Sequence, residues 1–275
     1  MREDISKFVS SYLKGNPITS VHNGEFRKVD GKMKVYYSGP FWDDEEVSAA
    51  IETLLTGKWL ASGEKVYKFE RAFSKKFNME SSVMVNSGSS ANLVMLGALK
   101  KYFGWEEGDE VLVSPVGFPT TIAPIVQNGL TPVFVDIEMD TLNFDLDQLL
   151  SSITQKTVAV ILSPVLGNPP DMDKLISICD DNGVHLVLDN CDSLGTEWAH
   201  KYLNEYAVAA SCSFYPAHHI TTAEGGMVSS RTEIVELARS LSWWGRDCYC
   251  VGSANLLSCG TCGKRFDKWL PDYAG

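Results

Sequence analysis

The chain has 275 residues, and its 24 basic and 35 acidic side chains leave a net charge of −11. A hydrophobic fraction of 44% and a charged fraction of 21% exclude a disordered or low-complexity chain and allow a full α/β core. The acidic balance argues against a nucleic-acid binder, which needs clustered Lys and Arg. No window approaches the roughly 18 apolar residues of a membrane span, and the opening MREDISKFVSSYLKG lacks the apolar run of a signal peptide. The expectation is a cytoplasmic protein with neither nucleic acid nor membrane as partner.

In chain order, Ile5, Phe8, Val9, Tyr12 and Leu13 recur at helical spacing and predict an amphipathic helix over 1–16. Residues 17–35 are polar and mixed, so 1–38 reads as a helical and extended N-terminal segment. A helix starts at Asp43, with Val47, Ile51, Leu54 and Leu55 turned inward and Gly57 near its end. A second carries Val66, Phe69, Phe73 and Phe77. Strand and helix then alternate: strand 81–85, helix 89–102, strand 110–114, helix 119–129, strand 132–136, helix 145–153, strand 158–163, helix 171–183, strand 184–189, strands near 207–214 and 226–230, helix 232–243. Such alternation implies βαβ units and an α/β fold, a mostly parallel seven-stranded sheet flanked by helices within a large domain over 39–275. Functional groups belong at the carboxyl ends of its strands.

Strand 81–85 runs into Asn86-Ser87-Gly88-Ser89-Ser90-Ala91-Asn92. Gly88 permits close backbone approach, and the following helix offers free N–H groups, so the turn reads as a phosphate cradle or as a serine-rich helix cap. The GK[ST] ending of a Walker loop is absent, as is GxGxxG. Asp189 ends strand 184–189, as a catalytic or cofactor-binding acid or as a solvated cap. Phe118, where strand 110–114 gives way to a loop, reads by itself as core. Ser213-Phe-Tyr-Pro-Ala-His218-His219 leaves a strand for a turn that ends in Gly225-Gly226.

Cysteine usage is unusual. Four of the seven cysteines, Cys248, Cys250, Cys259 and Cys262, fall in one short segment, which reads as metal binding in a reducing compartment. Cys191 follows the strand that bears Asp189. The four clustered thiols by themselves suit a tetrahedral zinc site. Cys179 and Cys212 read as core thiols.

The order SGSSAN, GFPTT, LDNCDSLG, SFYPAHHITTAEGG resembles the DegT-like sugar aminotransferase and dehydratase family of fold type I pyridoxal-phosphate enzymes. TLLTGKWLASGEKV and TPVFVDIEMDTLNFD extend the match. SFYPAHHIT, WWGRDCYC and TCGKRF are similar to the CDP-4-keto-6-deoxyglucose 3-dehydrase branch. The resemblance implies that Gly88, Ser89 and Ser213 hold the cofactor phosphate, that Phe118 stacks on the pyridine ring, and that Asp189 pairs with the ring nitrogen. Aminotransferases of the family carry a lysine five residues after the position of Ser213, where this chain has His218. Lysine forms a Schiff base with the cofactor aldehyde and histidine cannot. The implied cofactor is therefore pyridoxamine 5′-phosphate (PMP, in place of a lysine-bound PLP), and the implied catalytic residue is His218. It takes a proton from the cofactor's C4′ carbon as the C3 hydroxyl of a nucleotide-linked 4-keto-6-deoxy sugar departs. A degenerate, inactive site is the bland alternative, and His219 reads as structural.

The resemblance also implies a 2Fe–2S cluster on Cys191, Cys248, Cys250 and Cys262. The segment 246–266 departs from the family pattern, since Cys259 within VGSANLLSCGT offers a rival fourth ligand. Electrons would come from a separate NAD(P)H-dependent iron–sulfur flavin reductase, because no FAD or NAD fingerprint is present. The family continues into a smaller C-terminal domain, whereas this chain ends at LPDYAG, so a fragment is expected. A homodimer would complete the site. A GDP-linked 3-dehydratase without a cluster, and a truncated non-catalytic relative with zinc, are the competing readings.

Overall fold

The computed structural model describes residues 2–16, 28–29, 32–33, 38–39, 41–57 and 62–245. The described residues up to Lys68 form one compact unit and those from Phe69 onward a second. Among them no helix is long and apolar enough to cross a membrane.

In the first unit, α1 (Arg2–Gly15) packs against α2 (Asp44–Thr56). Asp43 starts α2 through a capping box: its side chain accepts from Glu45 N at 2.8 Å, and Glu46 accepts from Asp43 N at 2.7 Å. Ser10 Oγ donates to Asp44. The apolar stripes expected on both helices are only partly covered. Val9 is buried, but Phe8, Tyr12, Leu54 and Leu55 are exposed.

The second unit is built on a seven-stranded sheet: β1 (Ser81–Val85), β2 (Glu110–Val113), β3 (Thr131–Phe134), β4 (Thr157–Leu162), β5 (His185–Asp189), β6 (Ala209–Ser213) and β7 (Gly226–Ser230). The spatial order is β1-β7-β6-β5-β4-β2-β3. Five strands run parallel in sequence, β6 to β3, while β7 lies antiparallel to both β1 and β6. Helices α4 (Gly88–Phe103), α5 (Pro119–Gln127), α6 (Leu146–Ser152), α7 (Met172–Asn182) and α8 (Thr232–Ser242) accompany it. The helix α3 (Glu64–Lys76) precedes β1.

Strand periodicity divides the core. Val111, Val113, Ala159, Ile161, Val187 and Ala209 pack with α4, α8 and Ile125 of α5. Leu112, Val160, Leu162, Leu186, Leu188 and Ala210 point the other way, onto α6 and α7. A third cluster joins Phe73 and Phe77 to Cys212, Phe214 and Met227. With both faces covered, β2, β4 and β5 read as nearly continuous apolar runs, whereas β1, β6 and β7 carry the buried serines Ser82, Ser211 and Ser229. The sequence-predicted elements match these bounds within about two residues.

Candidate active site at the carboxyl end of the sheet

The antiparallel insertion of β7 brings three chain ends together. Register pairs Val85, at the end of β1, with Gly226, at the start of β7, and Gly226 with Ser213, at the end of β6. A Cβ on Gly226 would lie 2.2 Å from the Ser87 carbonyl oxygen. One on Gly88 would lie 2.5 Å from Ser213 Cβ and 3.1 Å from Cys191 Sγ. Only glycine fits at either position, so the turn before α4 settles directly onto Ser213 and Cys191.

The amino end of α4 thereby becomes a cup. Ser87 caps the helix, accepting from Ser90 N at 3.1 Å. Ser89 Oγ donates to Thr120 Oγ1 at 3.0 Å. Ser213 is buried, and its hydroxyl accepts from Tyr215 N at 3.3 Å. Ser87 serves the helix as its cap, while Gly88, Ser89 and Ser213 surround the partial positive charge at its end.

Asp189 is 3% exposed. Its Oδ2 accepts from Thr121 Oγ1 at 2.6 Å and Asn92 Nδ2 at 2.8 Å. Its Oδ1 accepts from Cys191 N at 3.3 Å and Ser211 Oγ at 3.4 Å. These donors are all neutral. A buried carboxylate is costly without such bonds or a cation, so Asp189 is not a solvated cap.

Phe118 is 65% exposed, which overturns its reading as core. It stands at the N-cap of α5, outside the buried clusters, and its carbonyl accepts from Thr121 N at 3.0 Å. The first turn of α5 is tied to α4, because Asn92 Nδ2 also donates to the Thr120 carbonyl at 3.1 Å.

His218 sits on the turn leaving β6, where its N–H donates to the Tyr215 carbonyl at 2.9 Å. Its side chain is 20% exposed, with Nδ1 3.3 Å from Asp192 Oδ1. The hydrogen bond from His218 holds the Asp192 carboxyl below the usual carboxylate range, against an opposing push from burial. β5 and β6 are parallel neighbours with Asp189 opposite Ser211, so their exit turns leave the same edge and bring Asp192 to His218. His219, next along, is exposed.

Cys191 Sγ packs against Gly88, and burial pushes its thiol far above the ordinary range, with Asp189 the next cause. Cys248, Cys250, Cys259 and Cys262 lie outside the described residues. Cys179 and Cys212 are buried free thiols, each pushed up to about 12, chiefly by burial.

The sequence-predicted residues Gly88, Ser89, Phe118, Asp189, Cys191 and Ser213 thus form one connected group, with His218 on the adjoining turn. Sequence reasoning missed Asn92, Thr121 and Asp192. Asn92 had a signal: it shares the stripe 92, 95, 96, 99 with Met95, Leu96 and Leu99, all buried. A polar side chain on that stripe needs a buried partner. Thr121 and Asp192 have no comparable signal, because their partners come from other strands.

Residues 42–256 match the DegT/DnrJ/EryC1/StrS aminotransferase family. The dTDP-4-dehydro-2,6-dideoxy-D-glucose 3-dehydratase of Saccharopolyspora spinosa is 40% identical over 88% of this chain and 52% of its own length. The lipopolysaccharide biosynthesis protein RfbH of Salmonella typhimurium is 36% identical over 98% of this chain and 60% of its own. Among solved structures, E. coli GDP-4-keto-6-deoxy-D-mannose-3-dehydratase with bound hydrated PLP gives a TM-score of 0.69 at 36% identity, covering 74% of this chain and 52% of that one. This chain therefore spans between 52% and 60% of the length of these curated relatives.

Proposed function

The chain belongs to the DegT/DnrJ/EryC1/StrS aminotransferase family, and from that membership we propose that it removes the C3 hydroxyl of a nucleotide-linked 4-keto-6-deoxyhexose with pyridoxamine 5′-phosphate as cofactor. One observation carries the reading: an imidazole, His218, stands on the turn after Ser213 where an aminotransferase of this family has its lysine, and Asp192 holds it.

The residues present fit the cofactor. A cup that only glycine can line, with a buried Ser213 hydroxyl, suits a phosphate. A buried carboxylate bonded by neutral donors suits a protonated ring nitrogen, and an exposed Phe118 offers a stacking face. Bound there, the cofactor supplies an amine for the sugar's keto carbon and a ring that takes up electrons.

The protein's own part is proton handling and orientation. With Nδ1 3.3 Å from Asp192 Oδ1, His218 would present Nε2 to take up a proton from the bound cofactor's C4′ carbon. Gly88, Ser89 and Ser213 would hold the phosphate, Phe118 would pack on the ring, and Asp189 would take the ring nitrogen. No amine of the protein stands at 218 to hold the cofactor covalently.

We extend the proposal to a 2Fe–2S cluster on Cys191, Cys248, Cys250 and Cys262, fed by an NAD(P)H-dependent iron–sulfur flavin reductase. Four thiols are the donor set such a cluster takes, and it would supply single electrons. Cys191 lies at the cofactor end of the sheet, against Gly88. A match to RfbH over 98% of the chain takes in the whole cysteine-rich segment. CDP as the nucleotide rests on WWGRDCYC and TCGKRF, whereas two of the relatives above are named for dTDP and GDP sugars. The likeness to the GDP enzyme keeps a second reading, dehydration without a cluster; full activity in Cys191→Ala would establish it.

The test is an absorption and electron paramagnetic resonance spectrum of the full chain reconstituted anaerobically with iron, sulfide and PMP. Bands from both groups are expected. Borohydride treatment that fixes the cofactor covalently to the polypeptide overturns the PMP reading, and a colourless reconstituted protein overturns the cluster.

A further inference from the structure

Asp189 does not use its two oxygens alike. Oδ2 takes the two short bonds, 2.6 Å from Thr121 Oγ1 and 2.8 Å from Asn92 Nδ2. Oδ1 has two contacts at the long edge of hydrogen bonding, 3.3 Å from Cys191 N and 3.4 Å from Ser211 Oγ. A carboxylate oxygen offers two good acceptor directions. On Oδ2 both are filled, and on Oδ1 both are barely engaged.

The two donors to Oδ2 come from different helices, Asn92 from α4 and Thr121 from α5. Each also holds the first turn of α5, which Phe118 caps. Asn92 Nδ2 shares its second hydrogen with the Thr120 carbonyl, and Thr121 N closes the turn on Phe118 O. Asn92 Oδ1 is buried and has no hydrogen-bond partner among the described residues, so the side chain is held there by what its nitrogen donates. Asn92 is 4% exposed and Thr121 3%. Two polar side chains have been spent inside the fold on one oxygen of one acid.

We propose that Asn92 and Thr121 are positioning residues that clamp Oδ2 of Asp189, turning Oδ1 toward the cofactor's ring N–H and tying the angle of that carboxylate to the position of Phe118. The clamp deepens the PMP reading above and rests on it. Neutral donors suit this task. A cation on Oδ2 would compete for the carboxylate's charge, whereas a hydroxyl and an amide fix its direction and leave that charge for the ligand. The bond from Thr121 also sets the carboxylate plane, since Asp χ2 is a broad torsion that packing alone holds weakly.

The experiment is equilibrium dialysis of PMP against the full chain, with the melting temperature of each cofactor-free variant as a control. Asp189→Asn is expected to lower affinity about a hundredfold, and Thr121→Val, of nearly equal volume, about tenfold. Thr121→Ser restores the hydroxyl and is expected to bind within about twofold of wild type. In the Asp189→Asn background, Thr121→Val is expected to cost less than about twofold, because its partner is already changed. A merely structural threonine would cost the same in both backgrounds, and that result overturns the clamp. So does Thr121→Val binding PMP as tightly as wild type, or Thr121→Ser binding as weakly as Thr121→Val. Wild type that takes up no PMP, or Asp189→Asn that binds it undiminished, overturns the cofactor reading and the clamp with it.

Discussion

The two ends of β5, a strand of five residues, are built on opposite principles. At the amino end His185 lies on Phe103, ring centroids 3.8 Å apart and 22° from parallel, with Trp105 6.0 Å away. At the carboxyl end Asp189 gathers four polar donors beside a turn that only glycine can make. The amino end is built from stacked rings. The carboxyl end gives up apolar contact to fix the direction of charges. One strand can carry both because its middle, Leu186 to Leu188, anchors it on both faces.

The largest expected effect sharpens this division. His218→Asn keeps a polar side chain but loses the proton acceptor, so turnover of the reconstituted enzyme is expected to fall about a thousandfold, while PMP affinity stays within about threefold. A variant that still turns over at a tenth of the native rate breaks the assignment. Trp105→Ala probes the other end. It is expected to cost about 3–4 kcal/mol in urea unfolding and leave PMP affinity unchanged. Gly226→Ala should cross the divide, because its Cβ would strike the Ser87 carbonyl: roughly 2–3 kcal/mol of stability lost and about tenfold weaker PMP binding. If stability falls without loss of binding, the cup does not depend on that close approach.

The smallest effect is a pH slope. Burial, then the Arg231 charge, holds His185 below its ordinary value of 6.5. The unfolded chain therefore takes up this proton first as pH falls. The stability His185 contributes is complete above about pH 6.5 and is lost as pH drops toward its folded value. His185→Phe is expected to flatten the fall in the urea midpoint between about pH 7 and 5.5. An equal fall in both proteins removes the stacked imidazole as its cause.

What could be read from the sequence follows locality. Strands such as 157–162 announce themselves as apolar runs, and helices such as α2 and α7 by Asp caps and terminal glycines. The direction of β7 could not be read, because GMVSS looks the same whichever way it runs. Nor could the exposure of Leu54, Leu55 and Phe118, since apolar spacing shows that a face exists and not what covers it. Asp189 was visible because it closes a strand, whereas the roles of Ser213 and His218 came from the resemblance of SFYPAHHIT. Asp192 was hidden by its dependence on the pairing of β5 with β6. Asn92 stood in plain view as a polar residue on an apolar stripe, though its partner did not.

The edge position of β1 has a consequence for biosynthesis. It joins the sheet through β7 alone, and the bonded hydroxyls of Ser82 and Ser229 are 147 residues apart. A nascent polypeptide can assemble β2 to β6 as they leave the ribosome, but β1 must wait, unpaired, until β7 has been translated. The turn before α4 therefore cannot meet Ser213 and Gly226 until β7 is made, and a message ended before Gly226 yields a chain without that cup and without the part of the core that α8 fills.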